Sequence, residues 1–279
     1  MPSPSPLKPG DIYHRVHGEG SPGTPVVFLH GLMGFAANWG RIWPRFHQER
    51  PVLVLDQRGH GRSAKPAKGY SPSDYACDLL ALLEHLGWGR IHLVGHSMGG
   101  RVAMQFAASF GHHLASLVLE DSGAEARPDR LHWIRDLLKS VPTPFPDRET
   151  AKRFFEREYQ ADPTTGGFLF SNLHTLGDGR LVWRFHAEGM IETIEKGRCV
   201  DGMGLLRSVT CPLLIVRGEN STELSQDEAE GMAAARPGAE LAVVRGAGHL
   251  IHAERADEFS AMIASFINSH DSRVLISPP

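Results

Sequence analysis

Gly95-His96-Ser97-Met98-Gly99 stands between two runs of different periodicity. Before it comes Ile91-His92-Leu93-Val94, short and apolar; after it, from Gly100 to Phe110, Val102, Ala103, Phe106 and Ala107 recur at helical spacing. A strand therefore feeds a helix through a turn at Ser97. A serine hydroxyl is a weak nucleophile near neutral pH and must be held exposed beside a base, which a strained strand-to-helix turn achieves. Glycine at positions 95 and 99 removes side chains that would collide across such a turn. By itself the pentapeptide also fits a glycine-rich turn that merely contains a serine, so the rest of the chain has to decide.

Upstream, a short strand from Ile12 to Val16 and a turn cluster at Gly18–Gly23 precede the apolar run Pro25 to Leu29, which ends in His30-Gly31-Leu32-Met33-Gly34. The spacing of Trp39, Ile42, Trp43 and Phe46 predicts a helix over 38–48. Pro51 to Leu55 reads as another buried strand and ends in Asp56-Gln57-Arg58-Gly59-His60-Gly61-Arg62-Ser63. Ser71 and Ser73 offer N-caps to a helix through Leu86, with Leu79, Leu82, Leu83 and Leu86 on one face. Downstream of the turn, Leu114 to Leu119 is a strand that runs into Glu120-Asp121. Continuous apolar runs alternating with amphipathic helices indicate parallel strands covered on both faces, an α/β sheet.

The rhythm breaks between about residues 123 and 199. Helical patches at 130–138 and 150–159 are separated by Pro142-Thr143-Pro144-Phe145-Pro146, Gly166-Gly167 and Gly177-Asp178-Gly179, and no strand pattern is visible. Trp133, Phe154, Phe155, Phe168, Phe170 and Trp183 make this segment aromatic. It reads either as a small helical subdomain packed on itself or as a helical cap that gives a pocket an apolar wall. The α/β pattern then returns: a strand at 212–216, a helix near 225–235, a strand at 240–244, Gly246-Ala247-Gly248-His249, and a last helix over 253–268. The expected organisation is one domain, with a core over about 10–122 and 200–270 and the cap inserted at 123–199.

With 279 residues the chain is long enough to bury a full core. Its net charge of −3 and pI of 6.6 offer no basic footprint for nucleic acid. Sixteen histidines show no close-spaced metal signature. Cys77, Cys199 and Cys211 are an odd set without C-x-x-C spacing, which argues against a disulfide framework or zinc site and fits a reducing cytoplasm. The proline-rich start has no apolar core of a secretory signal, and no apolar run is long enough to span a membrane. The residues at both ends are expected to fray.

Four separated signals occur in order: His30-Gly31, the D-x-R-G-x-G-x-S run from Asp56 to Ser63, the G-x-S-x-G elbow, and Gly246-Ala247-Gly248-His249. Together they resemble the α/β-hydrolase superfamily over nearly the whole chain. The resemblance implies an α/β-hydrolase fold, a mostly parallel central sheet with helices on both faces and a helical cap, and Ser97 as nucleophile. His249 is expected to be the base, because Gly246 and Gly248 let its loop turn back towards Ser97, whereas His252 at a helix start should point elsewhere. The implied oxyanion hole is the backbone N-H groups of Leu32 and Met98. The superfamily's usual acid follows the strand at 213–216 as G-x-x-D, but here that spacing reads Gly218-Glu219-Asn220-Ser221. In this the chain resembles the YbfF-type bacterial esterases, whose acid follows the earlier strand and whose usual acid site holds a serine. That resemblance assigns the acid to Asp121 with Ser221 as a helper; Glu120, Glu219 and Glu223 are the alternatives.

Asp56 and Arg58 are expected to form an ion pair that fixes the loop beside the oxyanion turn, and His96 to shape the elbow. The reaction implied is hydrolysis of a carboxylic ester or thioester with a small hydrophobic acyl group, through an acyl-enzyme and without cofactor or metal. A lactonase or carbon-carbon hydrolase on the same triad, or a weakly catalytic small-molecule receptor, are the other readings. Serine at the elbow argues against dehalogenase or epoxide hydrolase chemistry, which uses a carboxylate nucleophile on this fold.

Overall fold

The computed structural model describes residues 6–125 and 129–271; the proline-rich start at 1–5 and the tail at 272–279 lie outside it. In chain order β1 (His14–His17), β2 (Val26–Leu29), β3 (Val52–Leu55), α1 (Pro72–Leu86), β4 (Ile91–His96), α2 (Met98–Phe110) and β5 (Leu114–Glu120) form the first half of the sheet layer. Then come α3 (Arg130–Ser140), α4 (Arg148–Glu158), α5 (Pro163–Ser171), β6 (Leu173–Thr175), β7 (Leu181–Trp183), α6 (Ala187–Gly197) and α7 (Gly202–Arg207). β8 (Leu213–Gly218), α8 (Gln226–Ala235), β9 (Glu240–Val244), α9 (Ile251–Glu254) and α10 (Ala256–His270) complete the chain. Seven strands form one sheet in the order β1-β3-β2-β4-β5-β8-β9, with only the β1-β3 pair antiparallel. The expected α/β-hydrolase architecture is therefore present.

Period-2 alternation explains why the central strands are apolar throughout. Val27, Leu29, Leu53, Leu55, Leu93, Leu117, Leu119 and Ile215 point into the layer of α1, α2 and α8. Val26, Phe28, Val52, Val54, Val94, Val118, Leu214 and Val216 point the other way, onto Trp39, Phe46 and the Phe259, Ile263 and Phe266 face of α10. Helix boundaries follow local chemistry. Ser71 accepts from Asp74 N at 3.2 Å while the Asp74 carboxylate accepts from Ser71 N at 2.9 Å, a reciprocal cap worth about 1 kcal/mol. Pro72 takes the first turn, and Gly87 at φ 70° ends α1 in the left-handed region.

Two expectations change. The helix over 38–48 is instead a pair of 3₁₀ turns, Ala36–Arg41 and Trp43–Arg45. Pro44 has no N-H for Gly40 O and its ring would strike that carbonyl, so an α-helix cannot run through, although Trp39, Ile42 and Phe46 still bury their apolar face. The segment after β5 also contains strands: β6 and β7 pair antiparallel, with Leu173 opposite Trp183. Gly177-Asp178-Gly179 is the loop of this hairpin, closed by Leu176 N donating to Arg180 O at 2.7 Å, with Gly179 at φ 89°. Strands of three residues are too short to show alternation. Around them Ile134, Phe145, Phe155, Leu169, Phe185 and Met190 gather on Met33 of the core in a separate apolar cluster.

Candidate active site

The carboxyl ends of β4, β5 and β8 and the loop after β9 converge where an open α/β sheet forms its crevice. Ser97 follows β4 at φ 51° and ψ −117°, conformations a side-chain-bearing residue holds only when the surroundings impose them. They are imposed here by close packing. A Cβ on Gly95 would press into Gly99 O, and one on Gly99 would come within 2.7 Å of His30 O. The turn is also tied to the next strand, since Ser97 N donates to Glu120 O at 3.0 Å and Ser122 Oγ donates to Ser97 O at 2.8 Å.

His249 Nδ1 lies 2.7 Å from Asp121 Oδ2. The carboxylate accepts, so Nδ1 carries the proton and the Nε2 lone pair is left for another group. Asp121 is buried and sits at φ 44°, and its carboxylate also accepts from Gly218 N at 3.0 Å and Ser221 Oγ at 2.5 Å. Ser221 Oγ in turn accepts from Glu223 N at 3.1 Å and Leu224 N at 3.2 Å, which directs its own hydrogen at Asp121. The other acids are engaged elsewhere. Glu120 accepts from His252 N at 2.7 Å and from His252 Nδ1 at 2.9 Å, Glu219 from Gly246 N at 2.7 Å, and Glu223 is ion-paired with Arg130. His252 packs inward against Trp39 and His96, away from the crevice.

Ser97 and His249 line one cavity, though no hydrogen bond joins their side chains among the described residues. Such bonds commonly tighten only when substrate arrives. His96 ties the loop after β9 to the turn after β4: its Nε2 donates to His249 O at 3.0 Å and the two rings lie 4.6 Å apart. Burial, with His249 and His252 nearby, holds the His96 imidazole well below the ordinary histidine range. His96, Glu120 and His252 come within 4.8 Å of one another, but their hydrogen bonds are spent on each other's chain and on the His249 carbonyl.

Met98 opens α2, so its N-H has no partner within the helix. Leu32 N-H likewise makes no hydrogen bond among the described residues, because its neighbours take the available acceptors. Met33 N donates to His60 Nε2 at 3.2 Å, Gly34 N to Gly31 O at 3.0 Å and Ala36 N to Asp56 Oδ1 at 2.6 Å. His30 donates from Nδ1 to Gly31 O and accepts at Nε2 from Gln57 N. Both roles require neutral imidazoles, and burial pushes the pKa of His30 and His60 down. Asp56 thus fixes the turn after β2, but not through Arg58. The expected pair is replaced by Arg58 with Asp78 of α1, at 2.6 Å from Nε and 2.5 Å from Nη2, while Asp56 Oδ2 accepts from Arg62 N. The turn after β3 sends the two side chains to opposite neighbours. Asp78 had no sequence signal beyond being an acid on a predicted helix.

Two lobes of open space share Ser97 in their lining. One lobe, about 150 Å³, is lined by Leu32, Pro72, Tyr75, Met98, Val102 and Ile194. The other, about 460 Å³, includes Met33, Phe168, Leu169, His249 and Leu250. Trp133 and the Arg130-Glu223 pair border both lobes, so the segment after β5 supplies part of each wall.

The sequence model of the alpha/beta hydrolase family matches residues 26–262. The chain is 32% identical over 257 residues to the sn-1-specific diacylglycerol lipase ABHD11 of Danio rerio, covering 88% of this chain and 78% of that one. It is 29% identical to the 2-(acetamidomethylene)succinate hydrolase of Mesorhizobium japonicum, covering 93% of each. The crystal structure of E-2-(acetamidomethylene)succinate hydrolase superposes with a TM-score of 0.80 at 27% identity, over 92% of this chain and 99% of that one.

Proposed function

Because the chain belongs to the alpha/beta hydrolase family, we propose that it is a serine hydrolase of carboxylic esters or thioesters with small apolar acyl groups, acting through an acyl-enzyme. The observation that carries this reading is the line Asp121-His249 beside the strained Ser97, with the proton of His249 on Nδ1. Ser97 Oγ attacks the carbonyl carbon as His249 Nε2 takes its proton, and the carbonyl oxygen becomes an oxyanion facing Leu32 N-H and Met98 N-H. Each such donor is worth roughly 2.7–4 kcal/mol of transition-state stabilisation. His249 then gives the proton to the departing oxygen or sulfur. Water, losing a proton to the same nitrogen, attacks the acyl-serine, and the returned proton frees Ser97. Asp121 keeps the tautomer and stabilises the imidazolium, and Ser221 holds Asp121 as the acceptor.

The similarity to a diacylglycerol lipase supports ester chemistry. The test is labelling with a fluorophosphonate followed by peptide mass analysis, with hydrolysis of p-nitrophenyl esters, acyl thioesters and lactones measured alongside. An adduct on Ser97 and measurable ester turnover are expected. Absence of the adduct in folded protein would overturn the reading.

A further inference from the structure

The two lobes differ in which part of the reaction they adjoin. Ser97 lines both, but His249 lines only the larger. The departing atom must lie within reach of His249 Nε2, which returns the proton to it, whereas the acyl chain leaves the carbonyl carbon in a different direction from the departing atom. Resting on the proposed ester hydrolase reading, we infer that the lobes divide the substrate. A short acyl chain fills the 150 Å³ lobe, and a bulky neutral or cationic leaving group fills the 460 Å³ lobe, which disfavours polyanionic leaving groups such as coenzyme A.

Size sets the acyl side. A cavity of about 150 Å³ is what takes up a benzene molecule, so roughly six carbons fit. Its charged lining balances, Arg101, Arg130 and Arg198 against Asp121, Glu125 and Glu223, and the rest of the wall is largely apolar. Tyr75 points its hydroxyl at Thr193 Oγ1, 2.8 Å away, and Thr193 passes its own hydrogen to Gly189 O at 2.8 Å, which leaves the Tyr75 ring as the exposed surface of that wall. The Arg101 guanidinium, at the edge of the lobe, donates to the carbonyls of Gly123, Ala124, Glu125 and Gly197.

Charge sets the leaving-group side. Its charged lining residues are Asp162, Glu223 and Glu254 against Arg130, an excess of negative charge. Their hydrogen bonds orient these groups without neutralising them: Asp162 Oδ1 accepts from Thr165 N at 3.1 Å and Glu254 Oε2 from Gly248 N at 2.7 Å. Between low-dielectric walls, that excess repels phosphates and attracts cations.

Matched thioesters isolate the charge. S-butyryl-N-acetylcysteamine carries the reactive end of butyryl-coenzyme A without its phosphates, and butyrylthiocholine replaces them by a cation. At low salt kcat/KM for the truncated thioester is expected to exceed that for butyryl-coenzyme A by about tenfold, the gap narrowing at high salt as screening sets in. Asp162→Asn keeps the helix cap, because asparagine caps as well as aspartate, and should narrow the gap about twofold to threefold. For acyl length, kcat/KM on p-nitrophenyl esters should rise by about fourfold per methylene up to four to six carbons and then fall; Ile194→Ala should move the maximum to longer chains. Equal or faster turnover of butyryl-coenzyme A, or a maximum at ten carbons or more, overturns the division of the lobes while leaving the hydrolase reading intact. No turnover of any ester together with no label on Ser97 overturns the hydrolase reading itself.

Discussion

Replacing Asp121 by asparagine turns one oxygen of a buried acceptor into a donor. In the protein Asp121 Oδ2 takes hydrogens from His249 Nδ1 and Ser221 Oγ, and Oδ1 takes one from Gly218 N. An asparagine that keeps its oxygen at Gly218 turns its NH₂ on two donors, so His249 must move its proton to Nε2, where the base has to be. The flipped amide instead faces Gly218 N-H donor to donor, at a cost of about 1–3 kcal/mol. The first arrangement abolishes the base, and the corresponding change in serine proteases lowers kcat about 10⁴-fold. We expect a similar loss for Asp121→Asn on p-nitrophenyl butyrate, with KM nearly unchanged. The double variant Asp121→Asn/Ser221→Asp then restores an acid at the usual superfamily position. Ser221 Oγ stands no farther from His249 Nδ1 than the 2.5 Å and 2.7 Å contacts laid end to end, and a carboxylate there reaches one atom further. Recovery of about 10²-fold in kcat is expected, since the restored acid returns the tautomer without the second supporting donor. Near wild-type kcat in folded Asp121→Asn, with collapse in Glu120→Gln or Glu223→Gln, would refute the assignment.

Three further outcomes follow from the same geometry. His252→Ala leaves the Glu120 carboxylate buried without its ring partner and should cost roughly 3–5 kcal/mol in urea unfolding; a loss under 1 kcal/mol would contradict the buried pair. Burial lowers the pKa of His30, His60, His92 and His96, His92 to about 4 from its ordinary 6.5. The unfolded chain therefore binds these protons first, so stability is full above pH 6.5 and is lost as pH falls below it, for His92 down to about 4, by up to about 1.4 kcal/mol per pH unit for each group. Urea midpoints at pH 8, 6 and 5 read this directly, and a flat profile would count against it. Gly99→Ala forces a Cβ against Leu29 and His30 carbonyls and should remove Ser97 labelling even where circular dichroism shows folded protein; unchanged labelling would mean that the elbow relaxes freely.

Several features of this chain are legible in its sequence because they depend on neighbours along the chain. The strand-to-helix switch around Ser97 follows from periodicity, and the cap of α1 from Ser71, Pro72 and Asp74. Other features depend on which distant elements meet. The apolar spacing of Trp39, Ile42 and Phe46 correctly marks a buried face, yet Pro44 makes it a 3₁₀ face. The hairpin β6-β7 hides in strands of three residues. Arg58 finds Asp78 on α1 instead of Asp56, because the ends of a turn diverge. The hydrogen bond from His96 to the His249 carbonyl joins residues 153 apart.

The sequence sets the order of elements and the place of Ser97, since hydrophobic period and glycine positions are local causes. It also supplied the candidates for the acid, without a local reason to choose between the adjacent Glu120 and Asp121. Tertiary structure gives the two carboxylates different partners. Successive residues at the end of a strand leave on different sides, so Glu120 meets His252 within the protein while Asp121, at φ 44°, meets His249, Gly218 and Ser221 at the crevice. Ordering of the two lobes, and the negative charge of the larger one, likewise arise only when β4, the loop after β9 and the helices after β5 close around one serine.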